Sequence, residues 1–195
     1  MSDEGKLAKL LATPQRRCGT CTLCCTLLPV IALKKAAGER CKHARGLGCN
    51  IHQKEGFPGE CAFWNCRWLI NDDMDDMLRP DIMHYCIDIV PDFVTAQQPG
   101  KSDIRIPVFQ VWIDPRFPDA HRDPKLRDWI MRQPGWLALV RYNAGDAITL
   151  IPPNMSDTGD WEEIRGNRTE ISQEHHTAEQ TAAVIAQHER PERLN

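Results

Sequence analysis

The chain has 195 residues, of which 42% are hydrophobic, with 24 Lys and Arg against 27 Asp and Glu and a formal net charge of −3. That is enough for one ordinary core, or one core with a small stapled module, and no run approaches the ~18 apolar residues of a membrane span. Nine residues are cysteines, a density that a chain uses either to cross-link itself or to hold metal.

Residues 1–12 carry Lys6, Lys9, Asp3 and Glu4 among apolar positions. They read as a short amphipathic helix rather than a secretion signal, which points to the cytoplasm. Thr13-Pro14 breaks that pattern, and Cys18-Gly19-Thr20-Cys21-Thr22-Leu23-Cys24-Cys25 comes next. On a helix, steps of about 100° would bring Cys18, Cys21 and Cys25 within about 60° of one another and turn Cys24 aside. An apolar run from Leu27 to Leu33 leads to Lys34, Lys35 and a turn at Gly38. Residues 41–61 read as loop, with five Gly and Pro between Cys41, Cys49 and Cys61. Phe63, Trp64, Trp68, Leu69 and Ile70 predict a short helix beside Cys66. The acidic run 71–76 lacks the Gly and Glu of a calcium loop and reads as solvated.

Arg79-Pro80 marks a boundary, after which the texture changes. His84 to Val90 predicts a strand. Ile104 to Ile113 is the strongest strand signal, with Ile106, Val108 and Trp112 on one side and Phe109, Val111 and Ile113 on the other. Pro107 places an edge or a strand start there. Asp123 as N-cap and Pro124 at the first helical position open a helix to Arg132, with Leu126, Trp129 and Ile130 on one face. Residues 136–142 and 147–151 flank Asn143-Ala144-Gly145-Asp146 as a hairpin that ends at Pro152-Pro153. Residues 154–171 read as loop anchored by Trp161, and Thr177 with Gln180 opens a last helix to His188. The tail from Arg190 reads as frayed. The pattern predicts an α+β fold: a cysteine-rich metal-binding module, residues 1–78, packed as one compact unit on an α+β portion, residues 79–195, with a small, mainly antiparallel sheet and flanking helices.

The spacing of the thiols is C-x2-C-x2-C-C-x15-C-x7-C-x11-C-x4-C, over Cys18, Cys21, Cys24, Cys25, Cys41, Cys49, Cys61 and Cys66. Two overlapping C-x2-C units are metal-knuckle geometry, because the gap lets both sulfurs reach one ion. A reducing cytosol disfavours structural disulfides, so metal is the better reading. Successive thiols diverge, so Cys24 and Cys25 either serve neighbouring centres or leave one spare. Zinc fits the set, and so does iron, including an iron–sulfur cluster. The missing three-residue step and the missing Pro argue against a ferredoxin domain proper, and spacing alone does not separate zinc from iron–sulfur. His43 and His52 lie inside the cysteine loops but are not needed as ligands. Cys86 reads as a buried, inert thiol.

These motifs, CGTCTLCC, then Cys41, Gly48-Cys49-Asn50-Ile51-His52, Cys61 and Cys66, resemble the YkgJ family of bacterial cysteine-cluster proteins. The resemblance covers residues 18–66 and implies a zinc- or iron-chelating domain with all eight thiols as ligands. Arg79-Pro80-Asp81 and Asp114-Pro115 are also similar to the region C-terminal to the cluster in some members. Relatives with this cluster type include a flagellin lysine methylase that resembles an iron–sulfur enzyme, so an enzyme or redox protein is the alternative.

Residues 1–70 carry eleven Lys and Arg against five Asp and Glu. A basic half can bind nucleic acid, but Arg16, Arg17, Arg40, Lys42, Arg45 and Arg67 are better read as offsetting thiolate charge. A nucleic-acid-binding zinc knuckle is therefore the weakest reading, and the expected partner is a metal ion, with no membrane. Asp114, Asp119, Asp123, His121, Arg116 and Arg122 gather in one stretch that reads as a turn-and-cap loop rather than a second polar site. His175-His176 reads as exposed. No P-loop, G-x-G-x-x-G, G-x-S-x-G or H-E-x-x-H motif occurs.

Overall fold

The structure, a computed structural model, describes residues 16–46, 48–70, 74, 79–96, 100, 102–143 and 145–165. The chain divides into two compact units, residues 13–167 and residues 1–12 with 168–195, and every described residue belongs to the first. The helices expected at residues 1–12 and 177–188, the pair His175-His176, the tail from Arg190 and most of the acidic run lie outside the described residues.

The unit is α+β, organised by one strand. Ile104–Ile113 (β4) pairs antiparallel with Tyr85–Ala96 (β3) on one side and parallel with Leu137–Arg141 (β5) on the other. Ala147–Ile151 (β6) and Glu162–Arg165 (β7) extend the sheet in antiparallel order, giving β3-β4-β5-β6-β7. The one parallel pair needs a crossover, and the helix Pro124–Met131 (α5) lies between β4 and β5 in the chain. Pro107 stands before β5 begins opposite Val108, so its missing N–H interrupts no β4–β5 ladder.

Alternation along β4 decides what each face of the sheet meets. Phe109, Val111 and Ile113 join Tyr85 and Ile87 of β3, Ala138 and Val140 of β5, and Ile148 and Leu150 of β6 in one core. Leu126, Trp129 and Ile130 of α5 cover it, each at most 1% exposed. Phe109 stacks on Trp136 at 4.4 Å and tilts against Trp129 at 4.7 Å. Burying such side chains contributes about 2–3 kcal/mol each before ordering costs. On the other face Trp112 and Cys86, which are register partners, meet Leu23, Leu27, Cys66, Leu69 and Ile70. A sheet with both faces covered explains why β4 is apolar on both sides.

The segment on that second face contains only short elements: Cys24–Leu27 (α1), the two-stranded hairpin Ala44–Arg45 (β1) and Gly48–Cys49 (β2), Gly59–Phe63 (α2) and Arg67–Ile70 (α3). The helix expected across residues 63–70 is therefore two, broken at Trp64–Cys66. Cys66 there forms an antiparallel bridge to Asp88 and covers part of the outer edge of β3. Trp64 Nε1 donates to Asp88 Oδ1 at 2.9 Å, and Arg67 Nε donates to the Asp88 carbonyl at 3.1 Å. The fourth short helix, Pro80–Met83 (α4), ends at His84, whose φ of +64° turns the chain into β3.

Two further expectations change. β3 runs beyond Val90 to Ala96, past a register shift between Ile87 and Pro91 that a periodicity argument cannot see. Residues 162–165, read as loop, form β7. Its Glu-Glu-Ile-Arg sequence has no apolar alternation, and ion pairs hold it instead: Glu163 takes Arg122 at 2.8 Å and Arg127 at 3.0 Å.

Candidate functional site

The first knuckle is a turn. Cys21 N–H donates to the Cys18 carbonyl at 2.9 Å, and Gly19 supplies the left-handed φ of +56° that the turn requires. Helical geometry begins only at the α1 cap, Leu23, so the helix that would align Cys18, Cys21 and Cys25 is not formed. Within α1, Cys24 and Cys25 occupy successive positions and diverge by about 100°. Leu23 and Leu27 of the same turn are buried against the sheet, which fixes where the two thiols point.

Two of the later cysteines return to this turn along the backbone. Cys41 N–H donates to the Cys25 carbonyl at 2.9 Å, and Ala44 N–H to the Cys41 carbonyl at 3.0 Å. β2 then delivers Cys49. Gly48 before it has φ +110°, and a Cβ there would stand 3.1 Å from the Gly19 carbonyl oxygen. Only glycine lets the β1–β2 hairpin lie so close to the first knuckle. Cys61 sits on α2, and Cys66 precedes α3 at the edge of the sheet.

Electrostatic neighbourhoods sort the thiols into two sets. Cys61 interacts with Cys25, Cys41 and Cys49. Cys18 interacts with Cys66 and Cys21, and Cys24 with Cys66 and Cys18. Cys24 and Cys25 hydrogen-bond to each other and join the sets, and Cys25 also acts on Cys18. Cys86 hydrogen-bonds to Cys66. All nine thiols are free of disulfides.

Their acidities reflect these surroundings. Crowding by protein atoms, then Cys66, Cys21 and Cys25, pushes Cys18 up to about 11 although the residue keeps contact with solvent. Burial, then Cys25 and Cys41, pushes Cys61 up to about 11. Burial also raises Cys21. The hydrogen bond from Cys24, with the Lys35 and Arg40 charges nearby, brings Cys25 down to about 7 and leaves Cys24 well raised. The Cys86 thiol lowers Cys66 by donating to it, and is itself raised by that hydrogen bond and by burial. Cys25 and Cys66 are thus the two thiols that their surroundings bring down, one in each set.

Sequence reasoning missed several members of this environment. Lys35 is only 6% exposed, and its ammonium donates to the carbonyls of Thr26, Leu28 and Ala36 beside Cys25. Arg79 donates to Asp81 through Nε at 2.6 Å and to Thr20 Oγ1 at 3.0 Å, inside the first knuckle. The Asp81 carboxylate accepts from the Cys21 thiol. Arg79-Pro80-Asp81 thus lies on the thiol site. Arg16 donates to the Trp68 carbonyl at 2.6 Å and acts on Cys66. Arg67, grouped by sequence with the charge-offsetting residues, instead lies over Phe109 at 4.6 Å and clamps α3 to β3. His52 is exposed with its ring 5.1 Å from Phe57.

The stretch from Asp114 to Asp123 is a turn-and-cap loop, as its sequence suggests. Asp114 pairs with Arg116 at 2.6 Å, Asp119 with Arg122 at 3.1 Å, and Asp123 caps α5 through Lys125 N–H at 3.2 Å. His121 is 2% exposed, donates from Nδ1 to the Pro118 carbonyl at 3.0 Å and faces Glu163 Oε1 at 3.2 Å.

The sulfurs supply the donor chemistry of a soft cation, yet among the described residues no group of three or more His, Cys, Asp or Glu side chains is arranged to hold a metal ion. Comparison with protein-family models, with curated proteins and with solved structures finds no match. Among the described residues no helix is long and apolar enough to cross a membrane.

Proposed function

We propose that this protein is a metal-binding cysteine-cluster protein, similar to the YkgJ family, whose thiols take up zinc or iron, the latter alone or in an iron–sulfur cluster. The observation that carries the reading is the return of Cys41 and of the Cys49 hairpin to the Cys18–Cys25 turn, by the Cys41 N–H bond to the Cys25 carbonyl and by Gly48 against the Gly19 carbonyl, with Cys66 packed in one cluster with Cys21 and Cys24. Thiols gathered this way oppose one another's ionisation, and a divalent cation reverses that opposition. Binding draws the sulfurs from neighbourhood into coordination, so the exposed turn at Cys18 and the loops carrying Cys41, Cys49 and Cys61 must close. The reading places the protein in the cytoplasm, where thiols stay reduced.

Bound metal then contributes on the order of 10 kcal/mol to the stability of the site. Cys18→Ala and Cys21→Ala should each lower metal content and melting temperature together. Anaerobic purification, elemental analysis and an absorption spectrum distinguish colourless zinc protein from a brown iron–sulfur protein. Unchanged metal stoichiometry in both variants would overturn the assignment of these ligands, and metal-free wild-type protein would overturn the reading.

A further inference from the structure

We propose that Glu163 fills an oxyanion cradle made by Arg122, Arg127 and His121, and that the cradle takes the phosphate group of a small phosphate ester when the Glu163 side chain swings out. Turn-and-cap geometry accounts for Asp114, Asp119 and Asp123, but it gives no reason for a histidine 2% exposed beside a carboxylate. His121 comes from the turn Ala120–Arg122, Arg127 from α5 and Glu163 from β7. Arg122 meets the two carboxylate oxygens with Nε at 3.0 Å and Nη2 at 2.8 Å, a two-pronged geometry that also fits phosphate. Arg127 adds Nη2 at 3.0 Å.

Glu163 satisfies this cradle incompletely. Nδ1 of His121 faces the Pro118 carbonyl at 3.0 Å, and a carbonyl only accepts, so Nδ1 carries the hydrogen. In the neutral ring Nε2 is then a lone pair turned on Glu163 Oε1 at 3.2 Å, one acceptor against another. Among the described residues, Nε2 of His121 and Nε of Arg127 are buried without a hydrogen-bond partner. An ionised carboxylate has two oxygens and no hydrogen to offer. A phosphate monoester brings three acceptor oxygens for the guanidinium groups, and with a second pKa of about 6 it also brings an O–H for Nε2.

Space for the rest of an ester lies alongside. His121, Arg122 and Glu163 line an open cavity of about 580 Å³, walled also by Pro115, Tyr142 and Ile148, a volume that suits a small organic ligand. It lies beyond the carboxyl ends of the parallel strands β4 and β5, where open sheets hold their ligands. Glu163 sits on an edge strand with little apolar burial, so its side chain can leave for solvent without unpacking the core. With it withdrawn, Arg122, Arg127 and Arg165 outnumber Asp119 and Asp146 around the site.

The full chain and its Glu163→Ala variant are titrated calorimetrically with phenyl phosphate, inorganic phosphate and sulfate, at fixed ionic strength and near neutral pH. Glu163→Ala should bind phenyl phosphate about tenfold or more tighter than wild type does, because a like charge has left the cradle. Sulfate, which brings no hydrogen for Nε2, should bind more weakly than either phosphate. Adding Arg122→Gln to Glu163→Ala should abolish the gain. Inorganic phosphate bound as tightly as phenyl phosphate would assign the cradle to the free ion and overturn the ester. Equal affinity for sulfate and phosphate, or no gain in a Glu163→Ala chain with native circular dichroism, would overturn the cradle itself. If Glu163→Ala does not fold, the nitrogen-15 shifts of Arg122 Nε and the His121 ring in wild type decide. They should move at lower concentrations of phenyl phosphate than of sulfate, and unmoved shifts would overturn the inference.

Discussion

Glu163 is the residue on which the last strand of the sheet depends. β7 contributes almost no apolar burial, so beyond its ladder to β6 its tie to Arg122 and Arg127 runs through one carboxylate. Arg122 grips Glu163 through Nε at 3.0 Å and Nη2 at 2.8 Å, Arg127 adds a contact at 3.0 Å, and His121 faces it at 3.2 Å. These partners, Arg122 first, bring the Glu163 carboxyl down from 4.5 to about 2. A depression of that size is worth about 3 kcal/mol to the charged form, and the side chain is 26% exposed, so the whole amount is an upper bound. The folded state holds the lower pKa, so this stability is complete above pH 4.5 and is lost as pH falls toward 2. Glu163→Gln should cost about 2–3 kcal/mol at neutral pH, lowering the melting temperature by roughly 5–10 °C for a chain of this size. It should also flatten the acid limb of stability between pH 4.5 and 2, read by urea titrations monitored by circular dichroism across that range. A variant that melts within a degree or two of wild type and keeps the same acid limb would refute the clamp.

Gly48→Ala should damage the thiol site while leaving the sheet intact. At φ +110°, with a Cβ 3.1 Å from the Gly19 carbonyl, it should cost about 1–3 kcal/mol and lower metal uptake, measured by elemental analysis alongside the melting curve. Asp123→Ala removes both the α5 cap and the acceptor of the Tyr85 hydroxyl, which donates at 2.8 Å. A loss of about 1–3 kcal/mol is expected, with Asp123→Asn recovering much of it, because the amide oxygen still caps.

Much of the sheet could be read from the chain because its residues report their surroundings locally. The alternation of β4 separated two faces, and Asp123-Pro124 announced α5 before any contact was known. The 143–146 turn joined β5 to β6 by turn chemistry alone. What could not be read was set by distant partners. β7 pairs with β6, and Arg122, some forty residues earlier, holds its Glu163. The break between α2 and α3 reflects the pairing of Cys66 with Asp88, and neither sequence segment signals the other. At the thiol site the cysteines announced themselves, but their companions did not. Lys35 comes after an apolar run that gives no hint of three backbone acceptors. Cys86 is buried in β3 as the sequence suggests, while its packing beside Cys66 is set by the strand-edge bridge to Asp88.

The same distances explain why the thiols lie against a sheet at all. Among the described residues between 16 and 70 no regular element exceeds five residues, and helices so short have no stability of their own in water. Leu23, Leu27, Leu69 and Ile70 gain a frame only by packing on Cys86 and Trp112. The dependence runs the other way too, since without that segment Trp112 would stand uncovered on the second face of the sheet. Thiols alone do not supply the missing rigidity, because ionising one resists ionising the next. A cation shared among them removes that repulsion and ties the short turns together at the same moment. The sheet therefore positions the thiols, and the metal that we propose they bind would in turn fasten the covering of the sheet.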